Sequence, residues 1–235
     1  MENKKEMTAF ISSVGADEGQ QLHVSGNSIS EKAGKINDLE TISMTELYDT
    51  VYPSKPPLID GLLYTGTYLF VGAPKLGKSF LMAQLAYHIS TGIPLWNYTV
   101  RKGTVLYLAL EDDYRRLQER LYRMFGTDST DNLFFSVSAD SLGNGLDAQL
   151  QRFMQEHADT SLIIIDTLQK VREVGGDSYS YANDYEIITR LKQFADRYGI
   201  CILLVHHTRK QTADDKFDMI SGTTGLLGAA DGGVL

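Results

Sequence analysis

Tyr68-Leu-Phe-Val71, followed at once by Gly72-Ala-Pro-Lys-Leu-Gly77-Lys78-Ser79, is the stretch on which the fold turns. A short apolar run of strand character leads into a loop with G-x-x-x-x-G-K-[ST] spacing, and a helical pattern continues from Lys78 to about Ser90. The spacing has a physical purpose. Glycines let successive backbone N–H groups curl around a polyphosphate, and the positive end of the following helix dipole points at the same place. Lys78 is placed to neutralise the β- and γ-phosphates, a catalytic contribution, while the Ser79 hydroxyl is placed to hold Mg²⁺. The nucleotide-binding set read from this stretch is Gly72, Ala73, Pro74, Lys75, Leu76, Gly77, Lys78, Ser79 and Phe80.

Outward from the loop, apolar runs and amphipathic stretches alternate. Val105–Leu110 ends in Glu111-Asp112-Asp113, Leu133–Val137 is a third run, Leu162-Ile-Ile-Ile165 ends in Asp166, and Ile200–Val205 ends in His206-His207. Between them, Arg115–Phe125 places Leu117, Leu121 and Met124 or Phe125 on one helical face, and Leu146–His157 turns Leu146, Leu150, Phe153 and Met154 inward. Asn183-x-x-Glu186 has capping-box spacing at the head of a helix running to Tyr198. Near-continuous apolar strands alternating with such helices predict an α/β fold whose parallel sheet is covered on both faces. The chain shows no internal repeat.

Residues 1–42 are polar, with Phe10 as their one aromatic, and read as a flexible arm. Residues 43–60 read as a short helix, opened by the capping box Ser43-Met-Thr-Glu46, and an extended connector set by Pro53, Pro56 and Pro57. Residues 61–235 form the main domain. A strand pattern is unfinished at Val234-Leu235, so the expected domain stops short of its final strands.

The chain has 235 residues and a formal net charge of −8, with 43% hydrophobic and 22% charged residues. This is globular composition, and it excludes wholesale disorder. No apolar run approaches the roughly 18 residues that span a bilayer, and the N-terminus lacks a secretory pattern, so a cytoplasmic protein without a membrane partner is expected. Cys201, the single cysteine, can form neither an internal disulfide nor a thiolate metal site. The acidic balance argues against coating nucleic acid by charge alone.

Carboxylates at strand ends carry the next layer of chemistry. Asp166 is placed to hold Mg²⁺ together with Ser79; its bland alternative is a solvated residue after a buried strand. Position 167 is Thr, so the group that activates water does not directly follow Asp166. Glu111 is the best-placed candidate for general base, against simple helix capping by the acidic run Glu111-Asp112-Asp113. His207, at the tip of its strand, is the candidate sensor of the γ-phosphate; His206 is the second choice, and a buried structural histidine is the alternative for either. Thr-Leu-Gln after Asp166 is not the D-x-x-G of GTPases, and no N/T-K-x-D guanine signature is present. Lys75 holds the fourth loop position, not the second where partition-type ATPases carry their extra lysine. Arg115, Arg116, Arg120 and Arg123 read as a solvated helix side with partners such as Glu119, with a partner- or DNA-facing role as the alternative. Trp96, Tyr98 and Tyr107 read as core or rim packing before base-stacking platforms.

Together these residues resemble the RecA-like ATPases, and most closely the RepA-type hexameric helicase group of plasmids and mobile elements. The likeness covers about residues 45–235. It rests on Gly72–Ser79, on Leu108-Ala-Leu-Glu111-Asp112 with Leu117 and Arg120-Leu121, on Ile163-Ile-Ile-Asp166-Thr-Leu168, on His206-His207-x-x-Lys210 and on Ser221-Gly-Thr-Thr-Gly225. The resemblance implies a RecA-like three-layer αβα sandwich with a mainly parallel central sheet. It further implies Mg²⁺-dependent ATP hydrolysis at the interfaces of a homo-oligomeric ring, six-membered in that group, acting on single-stranded DNA. Glu111 would activate water and His207 would sense the γ-phosphate.

Two departures stand out. Where RepA-like sequences carry a trans-acting arginine, this chain has Ala-Ala-Asp231-Gly-Gly, leaving Arg209, a position beyond Leu235, or none; and Gln211–Asp218, in the place of a channel loop, holds three aspartates against Lys216. The leading expectation is a replicative motor of a mobile element. The alternative is an ATP-switched assembly or partner-recruiting module with little hydrolysis, and a small-metabolite phosphotransferase is a third and weaker reading.

Overall fold

The computed structural model describes residues 41–52, 56–172, 181–207 and 224–234. Residues 1–40 of the expected arm, Arg209, the acidic stretch 211–218 and the Ser221-Gly-Thr segment lie outside the described residues. The chain clusters into two units that divide after Val51. The first contains helix α1 (Met44–Asp49), opened as its capping box requires: Ser43 Oγ accepts a hydrogen bond from the Glu46 N–H at 3.1 Å.

The second unit is built on strands β1 (Gly66–Gly72), β2 (Thr104–Ala109), β3 (Leu133–Ser136), β4 (Thr160–Asp166), β5 (Cys201–His207) and β6 (Gly232–Val234). They form one sheet in the order β3-β2-β4-β5-β1-β6, and every pairing is parallel. Helices α2 (Lys78–Thr91), α3 (Tyr114–Phe125), α4 (Leu146–Glu156), α5 (Tyr181–Tyr198) and α6 (Thr224–Ala229) connect them. In β4, Ile163 and Ile165 pack with Leu146 and Leu150 of α4 and Ile188 and Leu191 of α5. Leu162 and Ile164 pack on the other face with Met82, Ala86 and Ile89 of α2 and Leu117 of α3. Both faces of a central strand are therefore dry, which explains why its sequence is apolar throughout instead of alternating. Each such isoleucine stabilises the fold by about 2 kcal/mol on burial. The result is the expected α/β sandwich of three layers.

Because the strands are parallel, all their carboxyl ends lie along one edge of the sheet. Register places Gly72 beside His207 and Ala109 beside Asp166, so the chemistry-bearing ends of β1, β2, β4 and β5 are neighbours. β1 and β2 are consecutive in the chain but separated by β5 and β4 in the sheet. The crevice left by such a crossover is where open α/β sheets bind ligands.

Three boundaries differ from the sequence reading. Leu58 and Ile59, in the stretch read as a connector, are fully buried, and both of their N–H groups donate to the Leu63 carbonyl, at 2.8 and 3.1 Å. The prolines before them extend the backbone, but an apolar pair after the extension seeks the core. Helix α5 is already under way at Tyr181, so Asn183 lies inside it and is not its cap; Tyr181-Ala-Asn-Asp184 contains nothing that breaks a helix. The run at the end of the chain completes a sixth strand, with Tyr68 paired to Gly232 and Phe70 to Val234.

Asp231 secures that last strand. Its Oδ2 accepts from the Thr67 N–H at 2.9 Å, and its other oxygen pairs with the Lys192 ammonium of α5. Gly66, at φ +127°, leaves the space the carboxylate needs, since a Cβ there would sit 2.8 Å from Asp231 Oδ2. Burial works against ionisation of Asp231, but Lys192 and the Thr67 N–H outweigh it and hold the carboxyl below its usual range. A depressed folded-state pKa contributes stability that is fully present above the unfolded value of about 3.9 and is lost as pH falls through the lower folded value. Asp231→Asn, which keeps an acceptor but loses the charge, should lower stability by on the order of 1 kcal/mol near neutral pH. Urea midpoints of the two proteins should converge as pH falls below about 4; a gap that stays constant would contradict this.

Candidate active site

β1 ends at Gly72, and the chain turns through a loop before α2. Gly77, the residue before the helix, has φ +83°, a conformation that suits glycine, and Lys75 is held at φ +68°. No side chain caps α2, so its first-turn N–H groups face the loop. Lys78 folds back along the loop: its ammonium donates to the carbonyls of Gly72 and Ala73, both at 2.8 Å. Burial lowers the Lys78 pKa, and the carboxylates of Asp166 and Glu111 oppose that shift.

Asp166 closes β4 beneath the loop and is buried. Its Oδ2 accepts from Ser79 Oγ at 2.6 Å and from the Tyr107 hydroxyl at 2.9 Å. The two residues read from the sequence as metal ligands are therefore in direct contact. Tyr107 is fully buried, and its phenol is pushed well above the ordinary range, first by burial and then by Asp166. It remains a neutral donor that steadies the carboxylate.

Glu111 lies across the cleft. The Leu110 N–H donates to the Asp166 carbonyl at 2.7 Å, extending the β2–β4 pairing by one residue and bringing Glu111 alongside. Its carboxylate accepts from Thr167 Oγ1 at 3.3 Å, and its second oxygen is 3.5 Å from His207 Nε2. The acidic run divides its work. Asp113 caps α3, accepting from the Arg116 N–H at 2.9 Å, and Asp112 pairs with Arg120 at 2.7 Å. Capping thus falls to Asp113, leaving Glu111 turned toward the phosphate loop.

His206 and His207 separate by strand alternation. His206 is completely buried, whereas His207 reaches the cleft. The cleft encloses about 330 Å³ and is lined by Pro74, Lys75, Gly77, Lys78, Ser79, Phe80, Glu111, Arg120 and His207. Leu76 is 72% exposed and does not line it.

Other residues stand apart from their sequence reading. Arg120, read as part of a solvated face, has a side chain only 16% exposed and lies against the cleft. Trp96 and Tyr98, read as packing residues, are 66% and 41% exposed; of the three aromatics, Tyr107 alone is core. Tyr107, Thr167 and Arg120 are site residues that motif reading passes over. Tyr107 carries a signal nonetheless, because a tyrosine inside an otherwise apolar strand needs a partner for its hydroxyl.

A glycine loop at the end of the first strand, an aspartate on the serine after its lysine, and an all-parallel sheet in this order define a RecA-like P-loop ATPase. A family model described as an AAA domain, AAA_25, matches residues 35–213, more than half of the chain, and the chain belongs to that family. The solved ATPase domain of a helicase is similar in fold, with a TM-score of 0.55 at 12% identity, over 71% of this chain and 67% of that one. No curated protein sequence matches. Among the described residues no helix is long and apolar enough to cross a membrane.

Proposed function

We propose that the cleft binds ATP with Mg²⁺ and hydrolyses it, with Glu111 as general base, Lys78 on the β- and γ-phosphates and His207 as the group that registers the γ-phosphate. The observation that carries this reading is the place of the Glu111 carboxylate, across the cleft from Lys78 and Ser79 and flanked by Thr167 and His207. A carboxylate so placed can take the proton of a water attacking the terminal phosphorus. The two carbonyl bonds of Lys78 are what the phosphates replace, which keeps the ammonium satisfied in both states. Gly72–Phe80 supplies the cradle, where the uncapped N-terminus of α2 suits an anion. The Ser79 hydroxyl and Asp166 carboxylate, already in contact, are a donor set that suits Mg²⁺, which takes one or two protein oxygens and fills the rest with phosphate and water. Bound there, the ion would neutralise charge developing on the phosphates.

We extend the reading to a motor of the RepA type, a cytoplasmic ring of copies of this chain, six by analogy, that acts on single-stranded DNA in the replication of a mobile element. Its support is the order and spacing of the motifs, which is an argument by analogy. One observation favours the alternative, an ATP-switched assembly module with little hydrolysis. Asp231, at the position where ring ATPases of this kind offer an arginine to the neighbouring site, is engaged within its own chain by Lys192 and Thr67. ATP turnover measured at low salt with and without a single-stranded oligonucleotide, alongside native mass, separates the two. Stimulation by DNA in a ring-sized assembly supports the motor. A nucleotide-dependent change in mass without turnover supports the switch.

A further inference from the structure

The turn Glu111-Asp112-Asp113 joins β2 to α3, and a turn of this kind does not by itself hold a carboxylate at a set distance from a loop on another strand. Two side chains do so here. Asp112 and Arg120 are 12% and 16% exposed and meet at 2.7 Å, tying the turn to the middle of α3. The Arg120 guanidinium carbon lies 5.3 Å from the centroid of the Phe80 ring, and Phe80 directly follows Ser79. A continuous series of contacts therefore runs from the Glu111 turn through Asp112 and Arg120 to the first turn of α2. Arg116 reinforces the near end, donating to the Glu111 carbonyl at 3.2 Å. Only a planar, always charged guanidinium can pair edge-on with a carboxylate while its face covers a ring, so lysine is a poor substitute.

We propose that Asp112 and Arg120 are positioning residues, a brace between the Glu111 turn and the phosphate-loop helix that sets the distance from Glu111 to the reacting phosphate. The proposal rests on the assignment of Glu111 as general base. It predicts that loss of the brace slows turnover and leaves nucleotide affinity alone, because a misplacement of about 1 Å in a reacting group can cost on the order of 100-fold.

The test uses the full chain with Arg120→Met, Arg120→Lys, Asp112→Asn, Glu111→Gln and the double variant Glu111→Gln/Arg120→Met. A fluorescent ATP analogue reads affinity, phosphate release reads turnover, and thermal melting identifies variants that fold. Arg120→Met and Asp112→Asn should each lower kcat by roughly 10- to 100-fold and change Kd by less than about threefold. Arg120→Lys should restore little. In the Glu111→Gln background, Arg120→Met should have almost no further effect, since a brace acts only through what it holds. A parallel tenfold loss of affinity would overturn the proposal and make Arg120 a nucleotide contact. So would additive losses in the double variant, or normal turnover in Asp112→Asn and Arg120→Lys should Arg120→Met fail to fold. Wild-type turnover in Glu111→Gln would instead remove the general base, and the brace with it.

Discussion

Lys78→Ala is expected to reduce ATP binding at least 100-fold, to the edge of detection in a fluorescent-nucleotide titration. The ammonium is the one formal positive charge the loop sets inside the turn, and an anion at this place would otherwise rely on backbone N–H groups. A charge-assisted hydrogen bond contributes about 1.5–3 kcal/mol, and Lys78 is placed to make more than one. A loss near 3 kcal/mol is about 100-fold in Kd. The variant carries a structural cost too, because the Gly72 and Ala73 carbonyls lose the donor they share. The melting temperature should therefore fall, without loss of the cooperative transition, since Lys78 is helical and alanine favours that state. Unchanged affinity in a folded Lys78→Ala protein would place the nucleotide elsewhere.

Glu111→Gln should behave in the opposite sense. The amide is nearly isosteric, and its oxygen can still accept from Thr167, so the cleft keeps its shape and ATP binds with about the same affinity. It is no longer basic. Turnover should drop by roughly 10²–10⁴-fold, the usual size of a general-base effect. Equal turnover in the two proteins would remove Glu111 from the mechanism, and the nearest remaining carboxylate, Asp166, is committed to Ser79 and Tyr107.

Much of this arrangement is written in local pattern. β4 is buried at every position because both of its faces are covered, and its unbroken apolar run is by itself the mark of a central parallel strand. The loop is legible because its backbone needs glycine at Gly77 and its chemistry needs Lys78 and Ser79 at adjacent positions. Glu111 is reached by elimination, since Thr167 occupies the place after Asp166, and sheet register explains why the elimination works: Ala109 lies beside Asp166, so the residue two further on emerges over the same cleft. What pattern does not convey is partnership across the fold. Tyr107 looks like filler until β2 is set beside β4 and its hydroxyl meets Asp166. Arg120 looks like one of four solvated arginines because helix periodicity cannot show that the acidic turn folds back over the helix's own flank. Leu58-Ile59 follows two prolines, and the preference of proline for extended backbone says nothing about whether the residues after it are dry.

The account stands or falls on where the Glu111 carboxylate lies when a triphosphate is bound, and a structure of the chain with Mg²⁺ and a non-hydrolysable ATP analogue measures that directly. The prediction is an ordered water between Glu111 and the terminal phosphorus, within roughly 2.6–3.2 Å of a Glu111 oxygen, with Lys78 released from the Gly72 and Ala73 carbonyls onto the phosphates. A carboxylate turned out of the cleft, with no other acidic group in reach of such a water, would contradict it and leave a protein that holds ATP without the means to cleave it.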